Sequence, residues 1–177
     1  EEWSMYRILL VDDETDVRES IARMIDWDTQ GFSLCGCAAG SLEALEMADE
    51  LLPDVVMTDI CMPYIDGLEL IRRLRKVHPA MQFVIVSGYD DFSYAQQAVQ
   101  LHVMDYLLKP FRDQELVAAI LRVRQSQDGR TEAPGAQLPQ LPGGDKSKYV
   151  QRTLEYVAKK KECSISGICN KTIPFRP

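Results

Sequence analysis

No apolar run in this sequence approaches the roughly 18 residues a helix needs to cross a bilayer. Histidine is scarce, with only His78 and His102, and neither lies near a cysteine pair. Zinc-finger spacing is therefore missing. The five cysteines (Cys35, Cys37, Cys61, Cys163 and Cys169) are odd in number and irregularly spaced. They fit reduced, mostly buried thiols. The first residues, Glu1-Glu2-Trp3-Ser4, show no basic region followed by an apolar run, so no secretory signal is read there. They read as an addition ahead of a natural start at Met5. These absences lead to the expectation of a cytoplasmic protein.

What is present suits a globular domain with a short extra piece. Hydrophobic residues make up 46% of the 177, enough to bury a core. The formal charge of -7 is unevenly placed. From Asp145 onward there are eight Lys or Arg and three Asp or Glu, a net +5, which leaves -12 for the first 144 residues. An acidic body does not favour nucleic acid, whereas a basic tail can.

Apolar runs alternate with amphipathic stretches. Tyr6–Val11 is a short β-rich run ending in Asp12-Asp13, and 14–27 then carries Val17, Ile21, Met24 and Ile25 at helical spacing. Phe32–Ala38 reads as a weaker strand. Ser41 is a helix N-cap candidate, with Leu42, Leu45, Ala48 and Leu52 as the apolar stripe. Pro53 ends that helix, and Val55–Thr58 is a strand ending at Asp59. A helix over 68–77 precedes a strand over 81–86 that ends at Ser87. A helix over 92–101 precedes a strand over 103–108 that ends at Lys109. Asp113 caps a last helix with Leu116, Ile120 and Val123 on one face. Five such strands and five helices imply α/β architecture, a parallel sheet covered on both faces. Strands this short and apolar fit burial on both sides.

The α/β unit spans 5–126. Residues 127–146 hold Gly129, Pro134, Gly135, Pro139, Pro142, Gly143 and Gly144 and read as a flexible linker. In 147–177 a helical pattern returns at Val150, Leu154 and Val157 and ends in Lys159-Lys160-Lys161, which suits a helix C-terminus.

In an open α/β sheet, chemistry gathers beyond the carboxyl ends of the strands. The residues there are Asp12, Asp13, Asp59, Ser87 and Lys109. Crowded carboxylates repel unless a cation sits among them. All-oxygen ligands favour a hard ion, and Mg²⁺ with retained waters fits best. A lysine and a hydroxyl facing the same point would stabilise a phosphoryl group in transfer, with one carboxylate as nucleophile. Read singly, each residue has a plainer role. Asp12 and Asp13 can cap the first helix, Ser87 can be a turn residue, Lys109 a surface lysine and Tyr106 plain packing. Asp66-Gly67 is a turn signal on its own merits.

Taken together, Leu9-Leu10-Val11-Asp12-Asp13-Glu14, Asp59-Ile60-Cys61-Met62-Pro63 with Asp66-Gly67, Ser87-Gly88 and Lys109-Pro110 resemble the receiver domain of two-component response regulators. The resemblance implies a flavodoxin-like, doubly wound sheet in the order 2-1-3-4-5. It implies that Asp59 is the phosphoacceptor and that Asp13 binds Mg²⁺ directly, with Asp12 acting partly through water. The Cys61 carbonyl would be a further ligand. Lys109 would pair with the phosphoryl oxygens, Ser87 would donate its hydroxyl to them, and Tyr106 would be the aromatic switch. Pro110 would follow a cis peptide. The donor would be a sensor histidine kinase, and the protein a switch instead of an enzyme.

Two segments are more specific. Ser87-Gly88-Tyr89-Asp90-Asp91-Phe92-Ser93-Tyr94-Ala95 and Asp105-Tyr106-Leu107-Leu108-Lys109-Pro110-Phe111 resemble receivers fused to AraC-type DNA-binding domains. Residues 149–172 look like the start of such a domain, but what remains is too short for it and 172–177 departs from the pattern. The expectation is that an intact parent binds DNA and this chain does not, since no recognition helix is visible. Homodimerisation on phosphorylation is expected through the fourth helix, fifth strand and fifth helix. There Gln96, Gln97, Asp105, Arg112, Arg122 and Arg124 offer mixed charge for reciprocal pairs. Cys61 and Tyr89, at positions that tune hydrolysis in this family, carry no carboxylate or amide, which predicts slow self-dephosphorylation. A phosphatase of similar sheet type would place its nucleophile at the end of the first strand with a second aspartate two residues on. Position 14 is Glu, so that pattern fails. The remaining alternative is a stand-alone interaction module that does not control DNA binding.

Overall fold

The computed structural model describes residues 5–88 and 92–128. The chain runs β1 (Tyr6–Val11), α1 (Thr15–Met24), a 3₁₀ turn (Asp28–Gln30), β2 (Phe32–Ala38), α2 (Ser41–Leu51), β3 (Val55–Thr58), α3 (Gly67–Val77), β4 (Gln82–Ser87), α4 (Phe92–Gln100), β5 (Asp105–Leu108) and α5 (Asp113–Asp128). All strand pairs are parallel, in the order β2-β1-β3-β4-β5. The fold is the flavodoxin-like, doubly wound one that the sequence led us to expect. Among the described residues no helix is long and apolar enough to cross a membrane.

Both faces of the sheet are covered, which is why β3 and β4 are buried along their whole length. One face packs on Ala44 and Ala48 of α2, Leu70, Ile71 and Leu74 of α3, and Ala98 of α4. The other packs on Ile21 of α1 and on Leu116, Ala119, Ile120 and Val123 of α5. Each fully buried Leu or Ile contributes about 1.5–3 kcal/mol by leaving water.

Several local expectations change. Gly40, not Ser41, caps α2. Ser41 is buried as the first helical residue, and its hydroxyl donates to the Ile65 carbonyl at 2.6 Å. The expected stripe on α2 holds at Ala48, which is buried, and at Leu45, which packs against the core, but fails at its two ends. Leu42 and Leu52 are 53% and 60% exposed, while the buried positions are Ser41, Ala44 and Ala48. Small side chains on the inner face let this helix lie close to the sheet, which larger leucines would prevent. Helix α1 stops at Met24, because Ile25 is extended, and Trp27 folds back to donate its indole N–H to the Ala22 carbonyl at 3.0 Å. Asp113 begins α5 as a helical residue; the cap-like bond is made by Glu115, whose carboxylate accepts the Arg112 N–H at 2.9 Å. The thiols are less buried than expected: Cys35 and Cys61 are half-buried and Cys37 is exposed. Helix α5 extends to Asp128. The rest of the expected linker, all of 147–177, and Tyr89 lie outside the described residues.

Strand register decides where the polar strand ends meet. Val11 pairs with Thr58, so Asp12 and Asp59 leave neighbouring strands side by side, and the Asp59 N–H donates to the Val11 carbonyl at 2.9 Å. Ser87 pairs with Leu108, and the Lys109 N–H donates to the Ser87 carbonyl at 2.8 Å. From β1 the chain turns outward to β2 and then crosses back to β3, so β1 and β3 flank a topological switch point.

Candidate functional site

Asp59 is 5% exposed and Asp12 1% exposed at that switch point. Buried carboxylates require partners, and the partner here is Lys109. Its ammonium donates to Asp12 Oδ2 at 2.7 Å and to Asp59 Oδ2 at 3.2 Å. The backbone completes the holding: the Ile60 N–H donates to Asp59 Oδ1 at 2.6 Å, and the Glu14 N–H donates to Asp12 Oδ1 at 2.9 Å. The Asp12 carbonyl accepts from Arg18 Nη1 at 2.6 Å. Asp12 is thus fixed from three directions before any ligand arrives, which is the preorganisation that electrostatic catalysis uses.

Charge and burial set the protonation energetics. Desolvation raises the Asp59 carboxyl above its ordinary value, and the charge of Asp12 adds to this, while Lys109 pulls against it. For Lys109, burial acts to lower the ammonium, but the hydrogen bond it donates to Asp12 and the charges of both aspartates outweigh it and raise it. Burial also raises the Cys61 thiol, with the Asp59 charge second; a hydrogen bond with Tyr94 of α4 opposes them.

The donor set fits a hard divalent cation. Carboxylate oxygens of Asp12, Glu14 and Asp59 lie within 4.8 Å of one another, an all-oxygen group of the kind Mg²⁺ takes with several waters retained. Glu14 was not anticipated as a member, although it directly follows the acidic pair. Asp13 is exposed beside the group and close enough that its charge raises the Cys61 thiol. Ser87 is fully buried at the end of β4. Tyr106 is 3% exposed, its ring packed in the cluster on the α3–α4 side. The peptide between Lys109 and Pro110 is cis.

Two further residues carry more than their sequence suggested. Asp66 caps α3, accepting the Glu69 N–H at 2.7 Å. A Cβ at Gly67 would meet the Asp59 carbonyl oxygen at 1.9 Å, so only glycine lets α3 start against the acidic end. A cleft of about 520 Å³ adjoins Lys109, lined by Val17, Ile21 and Met24 of α1, with Asp16 and Ser20 of the same helix, and by Pro110 and Phe111 after β5.

The mixed-charge surface expected for dimerisation changes in part. Arg122 and Asp105 pair with each other within the chain, and Gln97 accepts from Arg72 of α3 at 3.0 Å. Arg124 does not belong to that surface. Its guanidinium donates to the Gln30 carbonyl at 3.2 Å and lies over Gly31, on the α1 side. The helical turn decides this, since residues two apart on a helix face different ways.

Residues 8–121 match the response regulator receiver domain family. The chain is 41% identical over 116 residues to the transcriptional regulatory protein YesN of Bacillus subtilis (strain 168), covering 66% of this chain and 32% of YesN. It is 35% identical over 136 residues to the transcriptional regulatory protein HptR of Staphylococcus aureus (strain bovine RF122 / ET3-1), covering 73% of this chain and 53% of HptR. The chain thus spans about half or less of the length of these curated relatives. Among solved structures, the REC domain of AraT, a response regulator from Geobacillus stearothermophilus, superposes with a TM-score of 0.69 at 37% identity, covering 72% of this chain and 99% of that one. With the family match running through both buried aspartates and Lys109, the chain belongs to the response regulator receiver domain family.

Proposed function

We propose that the chain is a phosphorylation-controlled switch in which Asp59 accepts a phosphoryl group from a sensor histidine kinase. The observation that carries this is the buried Asp59 carboxylate beside the Lys109 ammonium, 3.2 Å away, and a carboxylate group fit for Mg²⁺. An Asp59 carboxylate oxygen attacks phosphorus and the histidine nitrogen leaves. Mg²⁺, when bound by Asp12, Asp13, Asp59 and the Cys61 carbonyl, supplies charge neutralisation for the phosphoryl oxygens. Lys109 exchanges its contact with Asp59 for a phosphoryl oxygen, and Ser87 donates its hydroxyl to another. Tyr106 is already buried, so phosphorylation acts by stabilising an inward ring position that the chain can adopt beforehand.

The kinase has to bring its phosphohistidine to Asp59, so its surface meets the rim of the acidic end. The cleft beside Lys109, mostly apolar, suits that approach. On this reading Phe111→Ala slows transfer from the kinase about tenfold and leaves phosphorylation by a small phosphodonor unchanged, because only the former uses the cleft. Equal slowing of both would remove the cleft from the kinase contact.

The output reading is that phosphorylation changes the α4-β5-α5 face, promotes homodimerisation there, and controls an AraC-type DNA-binding domain in a longer parent. This chain itself would bind DNA poorly. Intact-mass measurement after incubation with a small phosphodonor and Mg²⁺ tests the core of the proposal. Wild type gains one phosphoryl group and Asp59→Asn gains none. Continuous phosphate release at enzyme rates would point to a hydrolase, and no gain in wild type to an interaction module. An unchanged sedimentation coefficient with a phosphate mimic would overturn dimerisation on activation.

A further inference from the structure

We propose that Glu14 orients the water that hydrolyses the phosphoryl group on Asp59, and so sets how long the signal lasts; this rests on the reading of Asp59 as phosphoacceptor. Spontaneous loss of the group needs a water held in line with the bond that breaks, opposite the Asp59 oxygen. Such a water sits roughly 3–3.5 Å from phosphorus in a reactive geometry. That places it near the mouth of the site, beyond the phosphoryl group as seen from Asp59. A group able to hold it must be a hydrogen-bond acceptor at the rim, facing solvent.

Among the described residues at the site, Asp12, Lys109 and Cys61 are committed elsewhere, and the exposed Asp13 is assigned above to Mg²⁺. Both carboxylate oxygens of Asp12 are used, by the Glu14 N–H and by Lys109, and the residue is 1% exposed. Lys109 carries only donors and is drawn to the aspartates. The Cys61 thiol is hydrogen-bonded with Tyr94. Glu14 differs from all of these. Its side chain is exposed, yet a carboxylate oxygen lies within 4.8 Å of oxygens of both Asp12 and Asp59. Its backbone is anchored at both ends: its N–H donates to Asp12 Oδ1 at 2.9 Å, and its carbonyl accepts the Arg18 N–H at 3.0 Å. The backbone is held still while the carboxylate can swing to a solvent water.

In the step itself the water oxygen forms the new bond to phosphorus. The bond between phosphorus and the Asp59 oxygen breaks, its electron pair returning to the Asp59 carboxylate. The water's protons leave with the inorganic phosphate. Glu14 accepts a hydrogen bond from the water throughout and remains a carboxylate. This reverses the slow self-dephosphorylation predicted from positions 61 and 89 alone, because the orienting carboxylate comes from the first strand's end instead.

The test uses the full chain. Wild type, Glu14→Ala and Glu14→Gln are loaded with a small phosphodonor and Mg²⁺, the donor is removed, and the phosphorylated fraction is followed by intact mass at two Mg²⁺ concentrations. The expected result is a half-life about tenfold longer in Glu14→Ala and less than threefold longer in Glu14→Gln, whose amide oxygen still accepts from water. The difference should be the same at both Mg²⁺ concentrations. A Glu14→Ala half-life within twofold of wild type, or shorter, overturns the proposal. So does a difference that vanishes as Mg²⁺ rises, since Glu14 would then act through the metal. If wild type acquires no phosphoryl group, the reading of Asp59 fails and this inference fails with it, a result distinct from a normal adduct with an unchanged lifetime.

Discussion

The interiors of the strands and their carboxyl ends obey opposite rules. Inside, Val56, Met57, Val84 and Ile85 are fully buried and pack against helices on both faces. Burial there is favourable at every position. One residue further on, the same burial encloses Asp12 and Asp59 beside the partly buried Lys109, where the cost of taking charge out of water has to be offset by pairing. The difference teaches that the sheet supports its site at the expense of its own stability. Functional ends are where local rules are broken and the remainder of the fold compensates.

Substitutions can break or sharpen this contrast. The largest effect is expected in the interior: Ile120→Ala, at a fully buried position of α5, lowers unfolding free energy by about 3 kcal/mol through lost contacts and a cavity. Chemical denaturation measures it, and a loss below about 1 kcal/mol would show the α5 face to be loosely packed. Next is Lys109→Met, which leaves two buried carboxylates facing each other and costs about 2 kcal/mol. Asp12→Asn in the same background should recover part of that loss, because it removes one of the two charges; no recovery would mean the lysine matters through packing.

The smallest effect has the opposite sign. Burial raises the Asp59 carboxyl, so its ionised form is less favourable in the folded chain than in the unfolded one. Its contribution to stability is therefore present at low pH and is lost as pH rises from about 3.8 through the raised value. Asp59→Asn removes that loss and should stabilise the protein at pH 7, with the gain shrinking as pH falls toward 4. Thermal melts across that range check it. A destabilised Asp59→Asn at pH 7 would mean that Lys109 more than compensates for burial. Lys109 behaves as its mirror image: its raised value means that stability is retained through neutral pH and lost in the alkaline range, above about 10.5.

Much of this was legible in the residues. Apolar runs that end in Asp12, Asp59, Ser87 and Lys109 announce both the strands and the end that bears the chemistry. Their alternation with helices restricts the sheet to parallel pairing. Other features could not be read this way. On α2 the expected stripe holds at Ala48 and Leu45 but not at Leu42 and Leu52, because close approach to the sheet selects the small Ser41, Ala44 and Ala48 for the innermost positions. Gly67 looked like an ordinary turn residue, and its real constraint is a carbonyl of a residue eight positions earlier.

By itself, the sequence determined the alternation of elements, the layered class and the identity of the polar strand ends, because periodicity and apolar runs are local properties of the chain. Tertiary structure decided which of those ends meet. The register of β1 against β3 sets Asp12 beside Asp59, and that of β4 against β5 brings Lys109 to both. It also turned Glu14 toward the site and Arg124 toward the Gln30 carbonyl. Those outcomes depend on contacts between residues distant along the chain, and no local pattern encodes the distances at which charges interact.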